Sequence, residues 1–204
     1  MLIVTYSLVT LSVEQEKTRH VLSTLQHRTQ DYTTYPQRLD AAGLESVLNQ
    51  LTQFDFTCRQ RNVELYLIPA IRRATQEADS LLAELESLSG EAANALKSAR
   101  HHLQQDMEPG VQKMMELAGI MGAYCHHVLA RMAREEQELF PVARRVITSE
   151  EEWFAIASQF ISHEAELHAY KPSQAGHGPV DQEPAQAYHH FAARLSTPVL
   201  ETHE

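Results

Sequence analysis

Along most of this chain apolar residues recur at steps of three and four, the spacing that gathers side chains on one face of an α-helix. Glycine and proline punctuate the pattern only at a few points, so long uninterrupted segments lie between them. The spacing predicts a first helix over about 11–32, a second over 41–73, a third over 76–107 with a break at SLSG, and a fourth over 110–147 entered through the MEPG turn. Thr148 or Ser149, followed by Glu151 and Glu152, caps a fifth helix reaching about residue 170. Four long helices with short connections imply antiparallel neighbours, so the expected fold is all-α, an antiparallel four-helix bundle with additional C-terminal helices. The expected organisation is a bundle with its fifth helix over 1–170, then a linker (KPSQAGHGPVDQEP), a short helix (EPAQAYHHFAARL) and a loose tail over 171–204. The apolar opening, MLIVTYSLVTLS, is read as packing on the bundle, with a short extended segment as the alternative.

The helical faces pick out a few polar intruders. In the fourth helix Met121, Tyr124, Val128, Arg131, Glu135, Leu139, Val142 and Val146 form one stripe. A charge in such a stripe is costly unless it is paired or bound to an ion, which singles out Arg131 and Glu135. The second helix gives Leu44, Leu48, Leu51, Phe56, Arg59, Val63, Leu67 and Ile71, with Arg59 as the intruder. The first gives Leu11, Gln15, Thr18, Leu22, Leu25 and Tyr32, placing Gln15 level with Arg59. Counting ~1.5 Å per residue back from the MEPG turn puts the matching level of the third helix near Glu86, with Ser89 beside it. The expected interior layer is therefore Gln15, Arg59, Glu86, Arg131 and Glu135.

The chain also repeats itself. At an offset of 72 residues CRQRNVELYLIPAIRR overlies ARMAREEQELFPVARR, aligning Arg59 with Arg131, Glu64 with Glu136, Leu67 with Leu139, Pro69 with Pro141, and Arg72 and Arg73 with Arg144 and Arg145. Two helix pairs related by a pseudo-two-fold axis would produce this register.

Charge and cysteine usage narrow the function classes. A formal net charge of −10 disfavours nucleic acid and anionic membrane as partners. The opening run is too short to span a bilayer and lacks a basic leader and cleavage site, so no membrane insertion is expected. Two cysteines outside any CxxC spacing, Cys58 and Cys125, indicate neither a disulfide framework nor a zinc site and fit a reducing, cytoplasmic location. A homo-oligomer or a protein partner is left open.

The segment RMAREEQELFPVARRVITSEEW resembles the hemerythrin-like (HHE) family, whose pattern is HxxxEE followed by LFP; the resemblance covers about residues 10–165. It implies a four-helix bundle holding two irons through histidines and bridging carboxylates, for oxygen or nitric oxide chemistry, iron handling or sensing. Carried over residue by residue, the motif's histidine falls on Arg131 and its ligand glutamate on Glu135. The second-helix histidine falls on Arg59 and its glutamate on Val63, the first-helix histidine most nearly on Gln15, and the third-helix level holds no histidine. Guanidinium cannot be deprotonated in a protein and repels a cation, so the family site is expected to be metal-free, with arginine charge in place of metal charge.

That makes a non-catalytic binding, regulatory or structural module with no cofactor the leading expectation. The alternative is a relocated iron or other divalent-metal site built from His20, His127 and Glu135. A metal-free helical enzyme is the weakest reading, because no nucleophile and base stand at suitable spacing. His101 and His102 read as surface residues, Glu164 and His168 of HEAELH as an exposed polar face, and His189 and His190 have no identified partner.

Overall fold

The computed structural model describes residues 2–35, 40–105 and 110–169, and every element among them is helical. α1 spans Leu2–Thr34 and α2 spans Ala41–Cys58; a short π-helical turn, π1 (Val63–Leu67), leads into α3 (Ile68–Ala74). α4 (Asp79–Gln105) and α5 (Val111–Arg134) come next, then a second π turn, π2 (Glu135–Leu139), α6 (Phe140–Val146) and α7 (Glu150–Ala169). α4 packs along α5, α1 packs against α5, α2 and α7, and α2 also meets α4 and α5. Among the described residues no helix is long and apolar enough to cross a membrane. The linker, terminal helix and tail expected over 171–204 lie outside the described residues, as do His189 and His190.

Three expectations about the elements need correction. α1 starts at Leu2, so the opening residues extend the first helix instead of preceding it. Its serines and threonines stay helical by back-bonding: the hydroxyls of Ser7, Thr10, Ser12 and Thr18 donate to the carbonyls of Ile3, Tyr6, Leu8 and Glu14. Ile3, Val4 and Leu8 pack on the core, while Leu2, Tyr6 and Val9 remain exposed and, with Phe154, line an open groove of about 940 Å³ against α7. α4 runs unbroken through the SLSG segment. The second helix, by contrast, stops at Cys58 and restarts at Val63.

The two LxP segments adopt the same backbone in the register of the repeat. π1 begins at Val63 and π2 at Glu135, and each runs directly into a seven-residue helix with proline in its first turn. Proline lacks the amide for an ordinary helical bond and crowds the carbonyl four residues earlier. A widened turn just ahead of it relieves both problems: Ile68 N–H reaches Val63 O and Phe140 N–H reaches Glu135 O, five residues back. The extra residue in each turn rotates the short helix beyond it. After π2 the buried positions are Phe140, Ala143 and Ile147, with the expected Val142 and Val146 only half-buried.

Hydrophobic burial is divided between two clusters. One gathers Leu22, Leu25, Leu48, Leu51, Phe54 and Tyr124; the other gathers Leu11, Leu67, Ile71, Leu85, Leu139 and Trp153, with Trp153 Nε1 donating to Ile147 O at 2.8 Å. α7 closes the second cluster with Trp153, Ile156 and Phe160, and Ser149 Oγ caps it by accepting the Glu152 amide. Between the clusters every contributing helix changes character. Gln15 and Thr18 come after Leu11 in α1, Arg61 and Asn62 precede Val63, and Glu135 precedes Leu139; all five polar residues are buried.

Candidate functional site, a buried arginine–carboxylate layer

Glu135 is fully buried at the first position of π2 and is the acceptor around which the layer is built. The Arg61 guanidinium grips it as a fork, NH1 donating to Oε2 at 3.0 Å and NH2 to Oε1 at 2.8 Å. From α1, Gln15 Nε2 donates to Oε2 at 2.5 Å. One turn earlier in the fourth helical segment, Arg131 Nε lies 3.0 Å from Oε1 as an ion pair without hydrogen-bond alignment. Glu64 completes the array from π1: its Oε1 stands 3.2 Å from Arg61 NH2 and 2.5 Å from Arg131 NH2, bridging the two guanidinia. Arg131 NH1 also donates to Ser89 Oγ on α4. Bidentate, charge-assisted geometry of this kind is what permits a carboxylate to be buried completely.

The break between α2 and π1 is what aims Arg61 inward. Residues 59–62 leave α-helical bonding, and Arg61 Nε turns back to Cys58 O at 3.2 Å. The amide of Asn62, freed by the break, is taken by Glu14 of α1, whose two carboxylate oxygens both lie 3.1 Å from it. Burial pushes the Glu14 carboxyl up to about 7, with the Asn62 amide and the Arg61 charge pulling the other way. For Arg61, burial alone would lower the pKa, but Glu135 together with Cys58 and Glu64 outweighs it, so the guanidinium is held charged more firmly than usual. Burial also pushes the Cys58 and Cys125 thiols up to about 12, which removes them as nucleophiles near neutral pH.

Of the expected layer, Gln15, Arg131 and Glu135 come together, and Arg59 and Glu86 do not. Arg59 is 58% exposed and pairs with Asp55 on its own helix, and Glu86 is exposed and pairs with Arg72. The inward arginine is Arg61. Its signal was in the sequence: the buried face of α2 continues from Leu51 through Phe54, Thr57 and Cys58 at regular helical steps to Arg61, whereas the stripe through Phe56 needs a five-residue step. Ser89 fills the third-helix place assigned to Glu86. Glu64, absent from the expected layer, enters it from π1.

The relocated metal site is not assembled. His20 is exposed, His127 Nδ1 pairs with Glu91 at 2.9 Å, and both oxygens of Glu135 are already engaged by Arg61, Arg131 and Gln15. Among the described residues no three His, Cys, Asp or Glu side chains gather where they could hold a metal ion. His101 and His102 are exposed, and the Glu164 and His168 side chains lie outside the described residues. A layer whose inward-facing cations are guanidinia can hold carboxylates but cannot ligate a cation. The chain matches no protein-family model, no curated protein and no solved structure.

Proposed function

We propose that this chain is a hemerythrin-like four-helix bundle in which the guanidinia of Arg61 and Arg131 stand where a di-iron centre would supply positive charge, and that it serves in the cytoplasm as a non-catalytic binding module. The observation that carries this reading is the state of Glu135. It occupies the place of the HxxxEE motif's ligand glutamate, yet both its oxygens are taken by two arginines and a glutamine. The paired π turns at the two LxP segments, in the register of the repeat, support a pseudo-two-fold relation between two helix pairs. The raised thiols supply no activated nucleophile.

Thermal melting of chelator-treated protein, with and without added ferrous iron or zinc under anaerobic conditions, tests the reading. A metal bound at the folded interior with free concentration about 100 times its dissociation constant would add roughly 2.7 kcal/mol. The expected result is no shift in melting temperature. A stoichiometric upward shift overturns the metal-free bundle.

A further inference from the structure

Beside the buried layer, a cleft of about 570 Å³ opens between the end of α2, α3, α4 and the end of α5, and we infer that it binds a compact amphipathic organic anion, a carboxylate or phosphate head on an apolar body. The inference rests on the reading of the chain as a metal-free binding module and names the ligand class that module would take. Its volume falls in the range of small-molecule sites, and its lining combines cationic and apolar side chains.

The lining is rich in cations. Arg59, Arg61, Arg72, Lys97 and Arg131 reach the cleft, against three lining carboxylates, Asp55, Glu64 and Glu86. Each carboxylate is already committed: Asp55 to Arg59, Glu64 to Arg61 and Arg131, and Glu86 to Arg72. With Glu135 counted behind the wall, the balance is still positive, in a chain whose formal net charge is −10. A local field of this sign concentrates anions and repels cations, and low-dielectric walls strengthen it. Lys97 is exposed at the cleft with no carboxylate paired to it among the described ion pairs, which suits it to meet the charged head of a ligand. The same lining carries half-buried apolar side chains, Ile68, Leu88 and Val128, over the buried Leu82 and Leu85, and these offer a surface for a hydrocarbon body.

Small residues in the middle of a helix border the cleft. Gly90 and Ala93 occupy the α4 face that leads to Lys97, and a Cβ built on Gly90 meets nothing within 4 Å. Glycine in a helix interior gives up conformational entropy that alanine would spare. No close contact at Gly90 requires it, and the position borders the cleft with room for a larger side chain. The same fact makes Gly90 a place to fill the cleft without a clash.

Isothermal titration in EDTA with decanoate, decyl phosphate and decanol tests the site in the full chain. Both anions are expected to bind at one per chain, and decanol at least tenfold more weakly. Gly90→Phe should weaken anion binding at least tenfold while the protein melts at or above the wild-type temperature by circular dichroism. Lys97→Glu, an exposed change, should weaken it at least threefold and flatten its salt dependence, so the test stands even where the phenylalanine variant misfolds. Tighter binding of decanoate or of decyl phosphate identifies the head group and supports the site in either case. Absence of heat from both anions, decanol binding as tightly as they do, or full affinity in folded Gly90→Phe overturns the inference. Because the titrations contain chelator, their failure is distinct from an iron-induced melting shift, which bears on the metal-free bundle alone.

Discussion

Arg61 and Glu135 face each other across the interior as a two-pronged pair, 3.0 and 2.8 Å between donor and acceptor atoms, with side-chain exposures of 4% and 0%. Neither charge has water to fall back on. Removing one partner of such a pair leaves the other buried without compensation, which typically costs about 3 to 5 kcal/mol. Arg61→Ala is therefore expected to lose stability on that scale. Arg59→Ala, two residues away and on the surface, should stay within about 0.5 kcal/mol. Urea denaturation in chelator measures both. Similar small losses would show that Arg61 is not the interior arginine.

Adjacent glutamates give a second comparison. Glu135 sits inside the layer, whereas Glu136 is 36% exposed and pairs with Arg19 at 2.9 Å. Glu135→Ala leaves two inward guanidinia sharing the single carboxylate of Glu64 and should cost about 3 kcal/mol. Glu136→Ala removes a half-exposed pair and should cost under about 1 kcal/mol. The same urea midpoints separate them, and equal losses would mean that the layer does not depend on its central carboxylate.

Stability should fall as pH rises from about 4.5 to 7, through Glu14. Its carboxyl has an ordinary value of 4.5 and sits at about 7 in the folded protein. Below 4.5 both states hold the proton and the group contributes no pH dependence. Between the two values the unfolded chain releases the proton while the folded one retains it, so ionisation favours unfolding. Above 7 the effect levels off. Glu14→Gln keeps an acceptor for the Asn62 amide and cannot ionise, so its advantage over wild type should grow across this window to on the order of 1–3 kcal/mol. Urea midpoints of the two proteins at pH 4.5, 6 and 8 check this. Parallel curves would show that Glu14 ionises freely.

The geometry also specifies how a metal site could be rebuilt. Gln15 of α1, Arg61 of the break after α2 and Arg131 of α5 all touch Glu135. Gln15→His, Arg61→His and Arg131→His together would surround that carboxylate with imidazoles, ligands suited to ferrous iron and zinc. This triple variant is expected to retain about one metal ion per chain after desalting. The version carrying Arg59→His in place of Arg61→His should retain less than about a tenth of that, since Arg59 points to solvent and a buried guanidinium would remain. Metal analysis of the two folded variants decides it, and equal retention would sink the assignment of Arg61 to the layer.

Residue spacing alone was enough to read the helical content, the limits of α5–α6 and the start of α7 to within a residue or two, and the inward placement of Gln15, Arg131 and Glu135. Periodicity carries these, because a three- and four-residue spacing leaves only one face to bury and makes a charge on that face conspicuous. The repeated LxP register was equally legible, since its prolines, leucines and arginines stand at fixed separations. Three-dimensional packing was needed wherever the period fails. The break at residues 59–62 and the widened turns at Val63 and Glu135 each shift the phase of the chain, bringing Glu64 into the layer and taking Val142 and Val146 off its buried face, whereas Arg59 stood in for Arg61 because the stripe was carried through Phe56. No straight helical count crosses such a shift correctly. Glu86 was misplaced for a related reason: counting along α4 gives a level but not an azimuth, and the side chain that meets Arg131 at that level is the shorter Ser89. Nor could spacing reveal that Glu14 caps the freed Asn62 amide, because 48 residues separate them and only packing of α1 against the broken helix brings the carboxylate to the orphaned donor.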